Sequence, residues 1–411
     1  MHYLPIFSLA ISLLLCTGCT SAAPPKPQRQ ITPVSFQTWI QSFAHEARAA
    51  GISEATLQAT LGQVRWQPRV IELDRAQPEF TRPPWVYLDN AVSAQRVQLG
   101  RKHMQQYASV LHAATRRFGV PASIITAIWG MESNYGSNFG NFRTVDALAT
   151  LAWDGRRREW AQSELLAALH IIDRGEAAAH TLQGSWAGAM GHTQFLPSVF
   201  LAHAVDGDGD GRRDIWGSVP DVIASTANYL AQAGWRTGEL WGQEVRLPPD
   251  FDWARAELAV RQSSAAWADL GVRAIQGKEL PILDAASILT PAGAHGPAFL
   301  VGANFRVLMR YNYSTNYALA VGLLAQQLNG GTGVQAQWPR HLPSLSRAEV
   351  KALQQALNAR GMAAGVPDGV IGPGTRAGLR RYQQSLGLPA DGLATRELLL
   401  RLQKRPNDPA P

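Results

Sequence analysis

The chain has 411 residues, enough for two or three domains at about 100–200 residues each. Hydrophobic residues make up 46% and charged residues 17%, which excludes wholesale disorder. With 38 Lys+Arg against 31 Asp+Glu the net charge is +7, which favours nucleic acid, anionic lipid or an acidic polymer as partner. Two cysteines, Cys16 and Cys19, are too few and too close for a disulfide framework, a four-cysteine zinc site or an iron–sulfur cluster. Of the 13 tryptophans most are expected to pack, and exposed ones would suit sugars or bases.

Leu4 to Leu15 form one apolar run, shorter than the roughly 20 residues of a membrane span and suited to a signal peptide. Cys16-Thr17-Gly18-Cys19 follows, with small residues before a cysteine, and resembles a bacterial lipobox. The segment 1–19 then reads as a leader whose Cys19 is lipidated, with Thr20 favouring the outer membrane. Cleavage after Ala22 or Ala23, or a buried N-terminal helix, are the alternatives. Residues 20–33 are Pro-rich and polar, a tether.

From 34 to 329 apolar residues mostly keep helical spacing, as in Phe36, Trp39, Ile40, Phe43 and in Ile223, Ala227, Leu230. Strand-like alternation is scarce, which predicts a large, mainly α domain. Val120-Pro121 opens a helix whose Ile124, Ile125, Ile128 and Trp129 mark a buried face. Glu132 lies on that stripe, eight residues after Ile124, just before Ser133-Asn134-Tyr135-Gly136 ends the helix. Desolvation there would hold a carboxyl protonated near neutrality, the state that a general acid needs; a structural carboxylate is the plain alternative.

The segment from Gly184 to Ser198 is rich in small residues that allow close backbone approach, to a ligand or to another helix. Ser185 and Gln194 are its polar handles for sugar hydroxyls and amides. Asp206, Asp208, Asp210, Gly211 and Asp214 match calcium-loop positions 1, 3, 5, 6 and 9, with the Arg212 carbonyl at position 7. Gly217 replaces the Glu of position 12, and Asp221 is the candidate substitute. Calcium or a solvated acidic loop both fit. Tyr311, Asn312 and Tyr317 begin an Ala- and Leu-rich helix and either wall a cleft or pack.

Residues 330–344 read as a linker and 404–411 as a frayed tail. Between them, 345–403 hold a repeat: Val350, Leu353, Gln354, Gln355 and Leu357 recur 29 residues later as Leu379, Tyr382, Gln383, Gln384 and Leu386. Each helix runs into a capping Gly, Gly361 or Gly387. Each copy also has an Asp-Gly turn, Asp368-Gly369 or Asp391-Gly392, leading into a helix predicted to be capped by Thr375 or Thr395. This unit resembles the peptidoglycan-binding domain type 1, a three-helix module.

The segments Ile128–Gly136, Asp146–Leu151, Gly184–Pro197, the Asp loop and Tyr311–Tyr317, in that order, resemble the membrane-bound lytic murein transglycosylase B family. The resemblance implies a lysozyme-like, α-rich domain that cleaves the β-1,4 bond between muramic acid and glucosamine in peptidoglycan. It implies Glu132 as acid/base and Ser185, Gln194, Tyr229, Tyr311, Asn312 and Tyr317 as saccharide contacts. It places Arg157 and Arg158 near a stem-peptide contact, and Asp221 as the carboxylate completing the calcium loop of Asp206, Asp208, Asp210 and Arg212.

No second acid occurs between Glu132 and Thr144, and nothing in the sequence places Asp146 or Asp154 across a cleft. One acid suffices if the substrate's own N-acetyl group acts as nucleophile. Internal attack by the muramic acid C6 hydroxyl, giving a 1,6-anhydro end, follows from the resemblance; a lysozyme-type hydrolase, a non-catalytic wall-binding protein and a calcium-responsive regulator are the rivals. Expected partners are glycan strands and stem peptides, the outer membrane through Cys19, and proteins of wall synthesis or division. The expected location is the periplasm, with calcium as structural ion and no organic cofactor. Nucleic acid is not expected: residues 340–411 hold 11 Lys+Arg against 5 Asp+Glu, so the positive charge belongs mainly to the wall-binding module.

Overall fold

The computed structural model describes residues 35–76, 83–275 and 279–403; Cys16, Cys19, the tether and the tail lie outside them. Seventeen α-helices dominate the described residues, and no helix among them is long and apolar enough to cross a membrane. The first, Phe36–Ala49, is capped by Ser35 and buries Ile40 and Phe43, as their spacing predicts.

Two apolar cores meet at the Ala122–Ser133 helix. Its Ile124, Ile125 and Ile128 join a core with Ile223, Leu230, Phe305 and Leu324. Its Trp129 joins a second, with Phe43, Leu148, Leu165 and Phe200. Every residue from Ser123 to Gly130 is buried, so this helix has no wet face and is a central strut. Pro121 stands at the N-cap, one position before the predicted first turn.

A small antiparallel sheet was not legible in the periodicity. Its order is Arg273–Ala274, Gly242–Arg246, Ala298–Val301, Ser287–Leu289. The strands have 2 to 5 residues, and Ala298–Val301 is buried throughout, so no alternation of polar and apolar side chains marks it. A further difference concerns Tyr311. It ends the Ala303–Tyr311 helix, while Tyr317 lies in the first turn of the next, Thr315–Leu328, capped by Ser314. The polar pair Asn312 and Ser314 breaks what reads as one helix.

The repeat over 345–403 has a physical basis. Gln354 donates from Nε2 to Asp368 Oδ1 at 3.0 Å and accepts from Gly369 N–H at 2.9 Å. Gln383 repeats this with Asp391 at 2.6 Å and Gly392 at 2.8 Å. Each buried Gln thus pins an Asp-Gly turn whose Gly is left-handed, at φ 77° and 72°. Thr395 caps its helix through Leu398 N–H, as predicted. Thr375 does not cap: Gly372 is the N-cap of Pro373–Ser385, and Thr375 is buried against Gln354. Leu386 also departs from its repeat partner Leu357, being exposed.

Residues 330–344 are fastened along the large domain. Gln335 and Ala336 N–H both donate to the Glu244 carboxylate at 2.8 Å, Arg340 forms a paired bond with Asp89, and Trp338 packs near Trp85. The module itself is docked: Ala294 N–H donates to Asp391 Oδ2 at 2.8 Å, and Arg380 pairs with Glu257, which also attracts the neighbouring Arg376. Glu257→Lys would face two arginines with a third cation. Small-angle scattering should then show a larger radius of gyration than the wild type at low salt; equal radii would contradict this clamp.

Candidate active site

Glu132 sits in the last turn of the buried strut, and the chain turns away immediately after it. Asn134 and Tyr135 both adopt left-handed backbone, at φ 48° and 61°, which costs non-glycine residues about 1–3 kcal/mol each. The turn is held by Ser133, whose hydroxyl donates to Trp129 O and accepts from Gly136 N–H. Tyr135 folds back over the strut and donates to Arg96 O at 2.9 Å. Gly130 permits this, since a Cβ there would meet the Tyr135 ring at 2.6 Å.

The Glu132 side chain is half-buried, and Tyr317 Oη donates to its Oε1 at 2.5 Å. Desolvation pushes the carboxyl up to about 7, against the opposing pull of the Tyr317 bond. Among the described residues no second carboxylate contributes to that shift. Asp146 is buried and occupied with Arg65 N–H, Gln67 and Arg143; Asp154 pairs with Arg75.

An aromatic wall adjoins the carboxyl. The rings of Tyr311 and Tyr317 stack with centroids 6.5 Å apart, Tyr229 meets Tyr311 edge-on at 4.9 Å, and Phe195 lies against both Tyr229 and Tyr311. Desolvation, then the Glu132 charge, raise both Tyr311 and Tyr317 well above the usual phenol value, so both remain proton donors. Three elements are tied together here: Tyr311 donates to Thr193 O and Tyr229 to Arg310 O, each at 2.7 Å.

The glycine-rich segment forms turns and isolated bridges, and it also packs closely on a helix: a Cβ at Gly188 would meet the Leu148 side chain of Thr144–Asp154 at 2.6 Å. Gly184 lies against the Ala189 carbonyl, and Gly191 is so close to Ile215 O that a Cβ would meet it at 2.6 Å. Ser185 accepts from Ala189 N–H at 3.1 Å, and Gly140, in the loop beyond Glu132, abuts its backbone. Gln194, left-handed at φ 52°, donates to Phe139 O and Gly191 O at 2.9 Å. Asn312, the C-cap of its helix, is exposed beside Tyr311. Glu132, Gln194, Tyr229, Tyr311, Asn312 and Tyr317 therefore belong to one neighbourhood, with Ser185 at its edge.

Arg157 and Arg158 are outside that cluster, at the start of the Arg158–Asp173 helix. Arg157 lies over the Trp160 ring and reaches Asp74 at 3.3 Å, where Arg156 is also paired. Two residues were missed. Tyr87, on the Pro84–Ala91 helix, lies close enough to Tyr317 to raise its pKa, and a lone tyrosine on a short helix carries no signal. His192 accepts from Trp129 Nε1 at 3.3 Å and stacks on that ring; burial lowers its pKa, which keeps it the neutral acceptor.

The Asp loop is a separate cluster. Asp206, Asp208 and Asp210 bring carboxylate oxygens within 4.8 Å of one another. Asp221 is buried behind them and accepts from Gly207 N–H at 2.7 Å and Asp214 N–H at 2.6 Å. Arg212 N–H donates to Asp210 at 2.8 Å. Asp214 accepts from the N–H groups of Trp216 and Gly217, which turns it inward. The loop buttresses the glycine-rich segment through His192 N–H to Ile215 O and Trp216 Nε1 to Gln183 O, both 2.9 Å.

A strut ending in one desolvated carboxyl beside a tyrosine wall suits proton transfer to a bound sugar. The profile described as Transglycosylase SLT domain matches residues 35–326, and the one described as Putative peptidoglycan binding domain matches 346–402. The chain belongs to the SLT transglycosylase family. It is 34% identical over 292 residues to membrane-bound lytic murein transglycosylase B of Escherichia coli (strain K12), covering 67% of this chain and 78% of that protein. SltB3 of Pseudomonas aeruginosa, solved with NAG-anhNAM-pentapeptide, superposes with a TM-score of 0.87 at 48% identity, over 90% of this chain and all of that one. Escherichia coli SLT35, solved with calcium, gives a TM-score of 0.61 at 32% identity over 71% of this chain and 92% of that one.

The raised pKa predicts a stability signature. Below pH 4.5 the carboxyl is protonated in both folded and unfolded chains. Between pH 4.5 and about 7 the unfolded chain ionises while the folded carboxyl keeps its proton, so stability falls across that window and levels off above it. Glu132→Gln should therefore be more stable than the wild type at pH 8, by on the order of 3 kcal/mol, and equal to it at pH 4. Calorimetry at both pH values checks this; equal stability at pH 8 would contradict the desolvation.

Proposed function

We propose that Glu132 alone supplies the proton chemistry of the lytic reaction. The observation that carries this is a single carboxyl poised near pH 7 without a carboxylate partner. With Tyr317 donating to Oε1, Oε2 holds the proton and presents it to the glycosidic oxygen. As that C–O bond breaks, the muramic acid acetamido oxygen bonds to C1 and closes an oxazolinium-type ring. Glu132, now a base, takes the proton from the C6 hydroxyl, which attacks C1, reopens that ring and leaves a 1,6-anhydro end. The anhydro ligand in the SltB3 complex supports internal attack over hydrolysis.

Ser185, Gln194, Tyr229, Tyr311, Asn312 and Tyr317 are read as saccharide contacts, and Arg157 and Arg158 as contacts for the stem peptide's carboxylates. Mass spectrometry of digested peptidoglycan should show anhydro muropeptides with the wild type and none with Glu132→Gln. Reducing muramic ends would instead identify a hydrolase, and undiminished products from the variant would remove Glu132 from the chemistry.

The oxygen donors of Asp206, Asp208 and Asp210 and the Arg212 carbonyl, braced by Asp221, suit a hard cation such as calcium. Calcium there would neutralise the clustered carboxylates and stiffen the loop that supports residues 183–195. Calcium should raise the melting temperature by a few degrees over chelator, and Asp208→Ala should abolish the difference. An identical melting temperature with and without calcium would reject the site.

The lipobox-like Cys19 reads as a lipid anchor to the outer membrane on its periplasmic face, in keeping with the membrane-bound relative. Labelled palmitate should enter the wild type and not Cys19→Ser; labelling of neither would mean plain secretion. Proteins of wall synthesis or division are proposed as further partners.

A further inference from the structure

A second surface of the large domain has the chemistry of a sugar site. A notch of about 290 Å³ is lined by Trp66, Pro68, Ile71, Glu72, Arg75, Trp153 and Asp154. Trp66 is 50% exposed, unusual for a tryptophan that has core available to it. Its ring meets Trp153 edge-on at 6.0 Å, and Trp153 is backed by Phe36 at 5.9 Å. The platform is therefore supported from behind and open in front. Arg75 and Asp154 pair at 2.7 Å on its rim, and Glu72 adds a further acceptor. Aromatic faces flanked by paired charges suit a pyranose ring, with its apolar C–H face and its rim of hydroxyls and amides.

The notch and the Ser185 rim of the reaction cleft lie toward opposite ends of one helix, Thr144–Asp154. Arg65 N–H and Gln67 N–H donate to Asp146 and Thr150, which straps Trp66 along the Thr144–Asp154 helix. That helix starts at the strand Phe142–Arg143, which pairs with Gln183–Gly184 immediately before Ser185. At 1.5 Å rise per residue, Trp153 lies about 14 Å along the helix from that lip. Trp186, next to Ser185, and Trp160 pack on the same apolar cluster of Val70, Ala147 and Leu151 between the two ends. Arg69, Arg75, Arg156, Arg157 and Arg158 outnumber Glu72, Asp74, Asp154 and Glu159 by one along this path, a slight positive excess that favours a carboxylate-bearing strand.

We propose that the Trp66–Trp153 notch is a distal subsite that holds an N-acetylhexosamine of the same glycan strand, a few sugars beyond the bond cleaved. This rests on the reading of the Glu132 cleft as the glycan site. It makes binding depend on strand length without adding a group to the chemistry.

The test uses full-length Glu132→Gln enzyme, which binds without turnover, and uncrosslinked strands of graded length stripped of stem peptides. Affinity should rise with length and then gain about threefold to tenfold more once the strand spans cleft and notch. Trp66→Ala in that background should lose this last gain and keep short-strand affinity and melting temperature; Trp66→Phe should keep part of it. In fluorotryptophan-labelled enzyme the Trp66 signal should shift with long strands only, a readout that needs no core change. A length gain that survives Trp66→Ala, or one that appears only when stem peptides are attached, overturns the subsite. Failure of even short strands to bind would overturn the cleft reading with it.

Discussion

One hydrogen bond, Tyr317 to Glu132, couples two largely buried helices of the large domain at the point where the interior opens. A carboxyl in that position is costly to ionise, and the protein retains it because the surrounding helices are fixed by apolar contacts far larger than the penalty. The same burial sets the proton affinity near neutrality, the range in which one carboxyl can give and take a proton. The tyrosine wall, the left-handed turn at Asn134 and Tyr135, and the glycine at 130 all follow from placing a polar group at the end of a strut without a wet face.

Support for that site is layered. The glycine-rich segment forms one rim and is itself held by backbone bonds to Ile215 and Gln183, which belong to the acidic loop and the short strand pair. Loop order and rim shape are thereby mechanically linked. On the other side, the linker and the wall-binding module are fastened through Glu244, Asp89, Glu257 and Asp391. The module's second Asp-Gly turn has two jobs in consequence, closing its own repeat and docking against residue 294.

Local patterns were legible wherever a residue's role is set by its neighbours in sequence. Helical spacing located the first helix and the strut, and the 29-residue repeat located both buried glutamines, because each must answer an Asp-Gly turn within its own copy. The turn glycines followed for the same reason. Legibility failed where burial comes from both sides. Ala298–Val301 shows no alternation, and the apolar stripe assigned to the Glu132 helix is in truth a full circumference. Thr375 was misplaced because a buried partner, Gln354, claims its hydroxyl before the helix N-terminus does.

The sequence by itself determined the family and the acidic loop, because these depend on residue types at close spacing. It could not decide which side chains converge. Tyr87, Tyr229 and Tyr311 come from three different helices, and their meeting around Tyr317 is a property of helix packing over long separations. The tertiary structure alone assigned the carboxyl its proton affinity, since desolvation is the sum of everything packed around a group. It also showed that Arg157 shares Asp74 with Arg156 and that Trp66 stands open to solvent, which no local pattern encodes.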